Sequence, residues 1–258
     1  MSTATAFGDV SITIGDDYVA TAEIQRPPHN YFDHNLICSL ADAFEAMDND
    51  DGVRAVVLCA DGKSFCAGAN FTGPREAEPT PGQLYREAVR LFETKTPVVA
   101  AVQGAAIGGG LGLALMPDFR VAAPEARFAA NFARLGFHHG FGLTATLPPL
   151  VGQQKALDLL LTGRRVGGEE ALEIGLCDKL VPLSELREAA HAFALEIARS
   201  APLAVASIRA TMRAGLPDRV KAATDHELEE QDKLRRTEDF KEGVKATAER
   251  RLPDFKGR

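Results

Sequence analysis

The chain has 258 residues, of which 45% are hydrophobic and 25% are charged, a balance typical of a globular protein. This length is enough to bury a substantial core, and it suits one α/β domain with a small helical extension. The formal net charge of −7 and the lack of a basic stripe predict no nucleic-acid partner, although a few local cationic side chains could still bind an anionic small molecule.

The cysteines and the apolar runs bear on localisation. Cys38, Cys59, Cys66 and Cys177 show no CxxC spacing and no histidine cluster at zinc-ligand spacing, so we expect reduced thiols and no metal site. No apolar run reaches the ~20 residues of a membrane helix. The first ten residues lack the basic and apolar segments of a secretion signal. We therefore expect a cytoplasmic protein with no membrane partner.

Strands and helices alternate along the first half of the chain, which indicates a mostly parallel sheet covered by helices. The predicted elements are a hairpin over 8–24, a helix over 35–49, a strand over 53–60, a polar loop over 72–82, a helix over 82–95, and strands over 97–104 and 119–124. From about residue 143 onward the periodicity is almost entirely helical. The pattern predicts an α/β core over residues 1–195 and a helical region over 196–258.

Four glycines stand where the segment GGGLGLALMPD, residues 108–118, should begin a helix. Glycine costs roughly 1 kcal/mol relative to alanine inside a helix. A glycine-rich turn from a strand into a helix exposes backbone N–H groups at the positive end of the helix dipole, which favours an anion. Because neither GxxxxGK[ST] nor GxGxxG is present, a transient oxyanion fits better than a phosphate. The alternative is that the glycines only permit close packing.

A second loop of small residues, SFCAGANF over 64–71, follows the predicted strand 53–60. Open α/β sheets bind ligands at the carboxyl ends of their strands. The two loops could therefore direct their backbone N–H groups at one carbonyl oxygen.

The chain resembles, over almost its whole length, the crotonase superfamily of enoyl-CoA hydratases and isomerases. The resemblance lies in RPPHN (26–30), FCAGANF (65–71), PVVAAVQGAAIGGGLGLAL (97–115), PDFRVAAPEARF (117–128), VGQQKALDLLLTG (151–163) and EDFKEGVKATAERRLPDF (238–255). It implies a crotonase-like ββα spiral core and a C-terminal helical region that assembles a trimer or a dimer of trimers. The substrate would be a coenzyme A thioester, with no permanently bound cofactor.

The resemblance also assigns site residues. The N–H groups of Ala69 and Gly109 would form an oxyanion hole that polarises the thioester carbonyl and stabilises its enolate. The residues expected along the CoA thioester are Arg26, His29, Asn30, Cys66, Ala67, Gly68, Gly108, Phe132 and Arg250. Arg250 would reach the CoA of a neighbouring subunit.

Hydration needs a base for water and an acid for Cα, and hydratases of this family use two glutamates. By resemblance their positions are Gly112 and Phe132 here, which cannot transfer protons. Histidines suit proton transfer near neutral pH, so His138 and His139 in the segment FHHGFG are the candidate acid and base. Both could instead belong to a polar turn. A dehalogenase resembles the chain in its GGGLG, but its nucleophilic aspartate would fall on Gly140.

Three functions stay open at this stage. The first is an acyl-CoA enzyme with an altered acid/base set, for which hydrolysis, isomerisation or carbon–carbon cleavage would all fit. The second is a non-catalytic acyl-CoA-binding protein, and the third is a true hydratase with a substitute for the glutamates. Two further residues are ambiguous. Cys66 could be a nucleophile or a small buried residue, and Glu230 could approach the site from the acidic run 226–231.

Overall fold

A computed structural model describes residues 3–70 and 81–258. Most of the predicted polar loop 72–82 lies outside these residues. Within them the strands are β1 (Thr3–Phe7), β2 (Val10–Ile14), β3 (Val19–Ile24), β4 (Ala55–Ala60), β5 (Val98–Val102), β6 (Ala105–Ile107), β7 (Phe119–Ala122), β8 (Arg127–Ala129), β9 (Val166–Gly167) and β10 (Lys179–Leu180).

The helices of the same residues include four near the C-terminal end that have 11 or more residues. They are α1 (His34–Asp48), α2 (Pro81–Phe92), α3 (Gly109–Leu115), α4 (Leu143–Thr146), α5 (Pro148–Val151), α6 (Gln153–Thr162), α7 (Gly168–Glu173), α8 (Leu186–Ala198), α9 (Pro202–Met212), α10 (Leu216–Leu234) and α11 (Glu238–Ala248). Short 3-10 turns cover Ala133–Leu135 and Leu183–Glu185. No helix in this part of the chain combines the length and the apolar character needed to cross a bilayer.

The described strands form two sheets, and the strands of the smaller sheet alternate along the chain with the last strands of the larger one. The larger has the order β1-β2-β3-β4-β5-β7-β10, antiparallel from β1 to β3 and parallel from β3 onward. The smaller has the order β6-β8-β9, in which β6 and β8 are parallel. The predicted mostly parallel sheet and the hairpin of β2 and β3 are confirmed. The short strands β1, β6, β8, β9 and β10 are additional to the prediction.

Both faces of the larger sheet are covered, which explains why all six residues of β4 are buried. One face packs with α1 through Leu36, Leu40 and Phe44. The other face packs with α8 through small side chains such as Ala190 and Ala194. Helix α1 begins cleanly because the Asp33 side chain accepts a hydrogen bond from the Leu36 N–H at 2.8 Å.

The C-terminal helices differ in how they meet the rest of the chain. The predicted boundary between residues 195 and 196 falls inside α8, so a single helix runs through it. Helix α10 packs against α2 and α4, and α11 packs against the 3-10 turn at Ala133–Leu135. Helix α9 has no buried residue, and its Leu203 and Met212 are 87% and 79% exposed. The division into 1–195 and 196–258 stays a prediction.

Candidate functional site

The two small-residue loops lie side by side. Cys66 pairs in parallel with Ala106 of β6, with its N–H donating to Ala105 O at 2.9 Å and its carbonyl accepting from Ile107 N at 3.0 Å. Ala69 and Gly109 each stand three residues beyond this bridge. The two segments that lead from this bridge to Ala69 and Gly109 therefore start side by side and in the same chain direction.

Close approach of the two backbones requires the glycines. A Cβ at Gly110 would lie 2.1 Å from the Cys66 carbonyl oxygen, so any side chain there would separate the loops. Gly108 has a φ of +58°, in the left-handed region that disfavours side chains. The glycines thus permit close packing of the two loops and begin α3, while the oxyanion interpretation stays a prediction.

The N–H groups of Ala69 and Gly109 are free of protein acceptors within the described residues. Gly109 is the first residue of α3, where a helix N–H has no intrahelical partner. The backbone just before Ala69 is held in place, because the Gly68 carbonyl accepts a hydrogen bond from Phe32 N at 3.1 Å. The arrangement leaves two backbone donors at the ends of paired segments, and Gly109 adds the positive end of a helix dipole.

Aromatic rings surround this pair of donors. The Phe32 ring lies against Gly109, where a Cβ would meet its Cζ at 2.4 Å. The tip of the Phe132 ring lies beside Gly108, at 3.7 Å from the corresponding Cβ position. Phe132 is buried and packs edge-on against Phe137 at 5.3 Å between ring centroids. The position where the resemblance implies an acid in hydratases is therefore occupied by a buried apolar ring.

Phe141 occupies the space beside Gly112. A Cβ on Gly112 would lie 2.6 Å from Phe141 Cβ and 2.8 Å from Cγ, so a larger residue at 112 requires Phe141 to move. Phe141 is 1% exposed and has a φ of +62°, which leaves it little freedom to do so. Its ring packs edge-on against Phe32 at 5.6 Å.

His138 and His139 lie in the loop that ends at Phe141. Their rings stack at 4.1 Å between centroids. His138 Nδ1 lies 2.9 Å from the His139 carbonyl oxygen, which can only accept, so Nδ1 carries a proton. In the neutral ring His138 Nε2 keeps its lone pair. Both side chains are half-buried, and the structure places both histidines on one loop that packs over α3 through Phe141.

His139 is connected to a buried carboxylate. Its Nε2 lies 2.8 Å from Thr144 Oγ1, and the Thr144 hydroxyl donates to Glu227 Oε1 at 2.7 Å. Thr144 Oγ1 therefore accepts from His139 Nε2–H, which leaves Nδ1 as the unprotonated nitrogen. Burial, followed by the neighbouring His138 and His226, lowers the pKa of His139 to about 4. The imidazole is neutral at neutral pH.

Glu227 is fully buried on α10 and holds the loop in place. It accepts from Gly142 N at 2.8 Å and from Thr144 N at 3.0 Å, in addition to the Thr144 hydroxyl. Burial raises the pKa of the Glu227 carboxyl above its usual value, against these hydrogen bonds, which lower it. His139 Nε2 lies 3.8 Å from Glu227 Oε1. A carboxylate, a hydroxyl and an imidazole thus form one chain.

Gly140 is packed too tightly to carry a nucleophile. A Cβ there would lie 1.9 Å from the Tyr85 hydroxyl and 2.4 Å from Gln231 Nε2. Tyr85 donates to Gln231 Oε1 at 3.1 Å, and Gln231 donates to the carbonyls of His138 and His139. The space beside Gly140, where the resemblance would put the nucleophilic aspartate of a dehalogenase, is therefore filled by Tyr85 and Gln231.

The segment 26–30 has a firm internal structure. Asn30 is fully buried, and its amide donates to Asp61 O at 2.6 Å and Ser64 O at 2.7 Å. Arg26 pairs with Asp9 at 2.5 Å and Asp33 at 2.8 Å. Asn30 and Arg26 therefore stabilise the local structure, whether or not they also contact CoA.

The other CoA-site candidates divide by location. His29 contacts the first loop, since its carbonyl accepts from Ala67 N at 3.0 Å. Arg250 is exposed, two residues past the end of α11. Cys66 is fully buried, and burial raises the pKa of its thiol to about 12, which argues for a packing residue over a nucleophile. Glu230 pairs with Lys233 at 2.6 Å on the outer side of α10.

Sequence reasoning missed Phe141, Tyr85, Glu227 and Gln231. An acidic run such as 226–231 is typical of a solvated helix face. A usable signal was the spacing on α10, since Val220, Thr224, Glu227 and Gln231 are its buried residues and lie on one helical face. A carboxylate on a core-facing stripe is unusual enough to mark a polar site.

Comparison with known proteins identifies the family. The family model for enoyl-CoA hydratase/isomerase matches residues 15–258. A probable enoyl-CoA hydratase of Bacillus subtilis (strain 168) is 33% identical over 251 residues, 94% of this chain and 96% of the relative. A carnitinyl-CoA dehydratase of Salmonella typhi is 33% identical over 244 residues, 91% of this chain and 94% of the relative.

Solved structures agree with the sequence relatives. The crystal structure of an enoyl-CoA hydratase/isomerase from Pseudoalteromonas atlantica T6c superposes with a TM-score of 0.86 at 33% identity, covering 96% of this chain and 100% of that chain. An enoyl-CoA hydratase from Mycobacterium avium subsp. paratuberculosis K-10 gives a TM-score of 0.85 at 28% identity, covering 96% and 99%. The expected crotonase-like α/β fold is confirmed, and the chain belongs to the enoyl-CoA hydratase/isomerase family.

Proposed function

We propose that this enzyme binds an acyl-CoA thioester and stabilises the thioester enolate with the N–H groups of Ala69 and Gly109. The observation that carries the proposal is the parallel Cys66–Ala106 bridge, beyond which both donors are free of protein acceptors in the described chain. Backbone donors cost no reorganisation when negative charge develops on the oxygen, and one such donor contributes about 3–4 kcal/mol to catalysis.

Proton transfer in this proposal passes to His138 and His139. Neutral imidazoles carry one lone pair each, at His138 Nε2 and His139 Nδ1, and either can take a proton from the Cα of a thioester held in the oxyanion hole. Returning that proton to another carbon gives isomerisation. Proton abstraction at Cα is therefore the reaction class we favour, and the same enolate also permits carbon–carbon cleavage.

Glu227 is the positioning residue of this arrangement. Its contacts with Gly142 and Thr144 hold the end of the histidine loop where α4 begins, and the Thr144 hydroxyl fixes the tautomer of His139. This is the orienting role that a buried carboxylate plays behind a catalytic histidine in other enzymes.

A second candidate, a non-catalytic acyl-CoA-binding protein, is favoured by the two phenylalanines. Phe141 fills the space beside Gly112, and Phe132 stands at the other family acid position, so both places are apolar. A hydratase with a substitute acid/base set is the third candidate, and it would rely on the same histidines.

We further propose that residues 196–258 assemble a trimer or a dimer of trimers. The support is α9, whose Leu203, Ile208 and Met212 project apolar side chains to solvent in the single chain. Such an assembly would bring Arg250 to a neighbouring subunit's CoA.

The test is a panel of acyl-CoA thioesters with calorimetry, turnover assays and crystal soaks. We expect binding, a thioester oxygen at both N–H groups, and a histidine nitrogen within ~3.5 Å of Cα. His138→Ala and His139→Ala should retain binding, and at least one of them should lose turnover. Binding without turnover by the parent protein would support the second candidate. If no thioester binds, both the proposed enzyme and the non-catalytic binding protein are overturned.

A further inference from the structure

A separate cluster of potential metal ligands joins α1 to α2. His34 and Cys38 stand one turn apart on the same face of α1, and Glu87 faces them from α2. One donor atom from each residue lies within 4.8 Å of the other two, and all three side chains are half-buried. Cys38 Sγ lies 3.5 Å from His34 Nδ1. None of the three belongs to the oxyanion or histidine arrangement described above.

The charges around this cluster favour a cation. Glu87, Asp42 and Glu45 are all within ion-pair distance of a single cation, Arg90, at 2.6–2.8 Å. Three carboxylates against one guanidinium leave an excess of negative charge. Arg90 contacts Glu87 through Oε2, which leaves Oε1 available as a ligand.

The Cys38 thiol lies in the field of the same carboxylates. Burial, followed by the negative charges of Glu87 and Asp42, raises the pKa of this thiol. A divalent cation reverses that effect, because it replaces the thiol proton with a much larger positive charge. Binding would form an S–metal bond and release one proton from Cys38 to solvent.

The donor set selects the ion. Imidazole nitrogen, thiolate sulfur and carboxylate oxygen are together the ligands of Zn²⁺, whereas Mg²⁺ and Ca²⁺ prefer oxygen alone. We propose that His34, Cys38 and Glu87 bind one Zn²⁺ ion, with a water molecule as the fourth ligand. The sequence expectation of no metal site considered cysteines and histidines alone and could not foresee Glu87, which comes from a different helix.

Such an ion would clamp α2 to α1. Glu87 stands two residues after Tyr85, whose hydroxyl donates to Gln231 beneath the histidine loop. The metal would therefore stabilise the helix that supports this loop, and it would do so without touching the reacting atoms.

Co²⁺ titration of the tag-free, reduced protein in chelator-free buffer tests the proposal. We expect one equivalent of Co²⁺ to give thiolate-to-cobalt absorption in the near ultraviolet and visible bands of a tetrahedral site, both abolished by one equivalent of Zn²⁺. Cys38→Ser should remove the thiolate absorption. His34→Ala and Glu87→Gln should weaken Zn²⁺ binding about 10-fold or more, since losing even an outer-shell partner costs about 10–100-fold.

His191→Ala is the matched control, because His191 lies beside Asp17 at 3.2 Å in another part of the surface. It should leave the titration unchanged. Circular dichroism confirms that each variant folds. The proposal is overturned if the parent protein gives no thiolate absorption, or if Cys38→Ser retains it.

Discussion

Phe141 and Gly112 share one side-chain space. The Phe141 ring and Cβ occupy the volume into which any side chain at position 112 would project, at 2.6–2.8 Å from the Cβ position. Phe141 in its left-handed conformation therefore requires glycine at position 112. A carboxylate at 112 and the present conformation of the histidine loop exclude each other.

Gly112→Ala should destabilise the protein, although alanine favours helices by up to about 1 kcal/mol over glycine. Overpacking against Phe141 costs about 1–3 kcal/mol and exceeds that gain. Urea unfolding measures the free energy of unfolding. In a Phe141→Gly background, which also removes the Cβ that lies 2.6 Å away, the same change should become neutral or stabilising. A stabilising Gly112→Ala in the parent protein would contradict the shared-space finding.

Glu227→Gln should cost about 1–3 kcal/mol of unfolding free energy. The Gly142 N–H, the Thr144 N–H and the Thr144 hydroxyl all donate to the Glu227 carboxylate. The NH₂ group of a glutamine side chain would face one of these donors, and a buried donor would lose its acceptor. Glu230→Gln is the matched control on the same helix, with an expected change within about 0.5 kcal/mol. Equal effects of the two substitutions would show that Glu227 has no special positioning role.

Acid should destabilise the protein through His139. Its pKa is 6.5 before folding and about 4 in the native state, so between these values the unfolded chain binds a proton that the native chain does not. Stability is therefore lost as the pH falls from 6.5 to 4, by up to about 3 kcal/mol. Glu227, with its raised pKa, works in the opposite direction.

His139→Gln isolates this contribution. The difference in unfolding free energy between the parent and the variant should shift in favour of the variant as the pH is lowered from 7 to 4, because only the parent has the buried imidazole. Denaturant unfolding at matched pH values measures it, and Glu227 is present in both proteins. A constant difference across this range would refute the buried neutral state of His139.

Alkylation should distinguish the cysteines. Burial raises the pKa of the Cys59 and Cys66 thiols to about 12 and that of Cys177 to about 11, whereas Cys38 is half-buried. Iodoacetamide at pH 8 should label Cys38 first in the native protein and all four in urea, as followed by peptide mass spectrometry. Faster native labelling of Cys66 would revive it as a nucleophile. Zn²⁺ should protect Cys38.

The sequence predicts the parts of this fold that local patterns determine. Helix α1 and the buried strands β4 and β5 lie close to their expected positions because apolar periodicity marks them. Strands β9 and β10 have two residues each, too few for a periodic signal, and they exist because a neighbouring strand is present to pair with them.

The candidate site divides in the same way. Glycine and small residues at 66–69 and 108–110 mark the two loops locally, and the donor role proposed for Ala69 and Gly109 comes from the family resemblance. Glu227 is more than eighty residues from the loop it holds, and only the packing of α10 against α4 brings the two together. The sequence gives no signal for Phe141 either, because its ring fills the space beside Gly112 only in a backbone conformation with positive φ.

The Cys66–Ala106 bridge sets the separation of the two candidate oxyanion donors by main-chain hydrogen bonds. Provided that Gly110 is kept, substitution of the surrounding side chains should leave that separation unchanged. The proposed anion-stabilising half of the site is therefore set by the backbone, whereas the proposed proton-transferring half is set by side chains, and the two can evolve independently. New acid and base groups could therefore be introduced into this chain without changing the backbone that holds the N–H groups of Ala69 and Gly109.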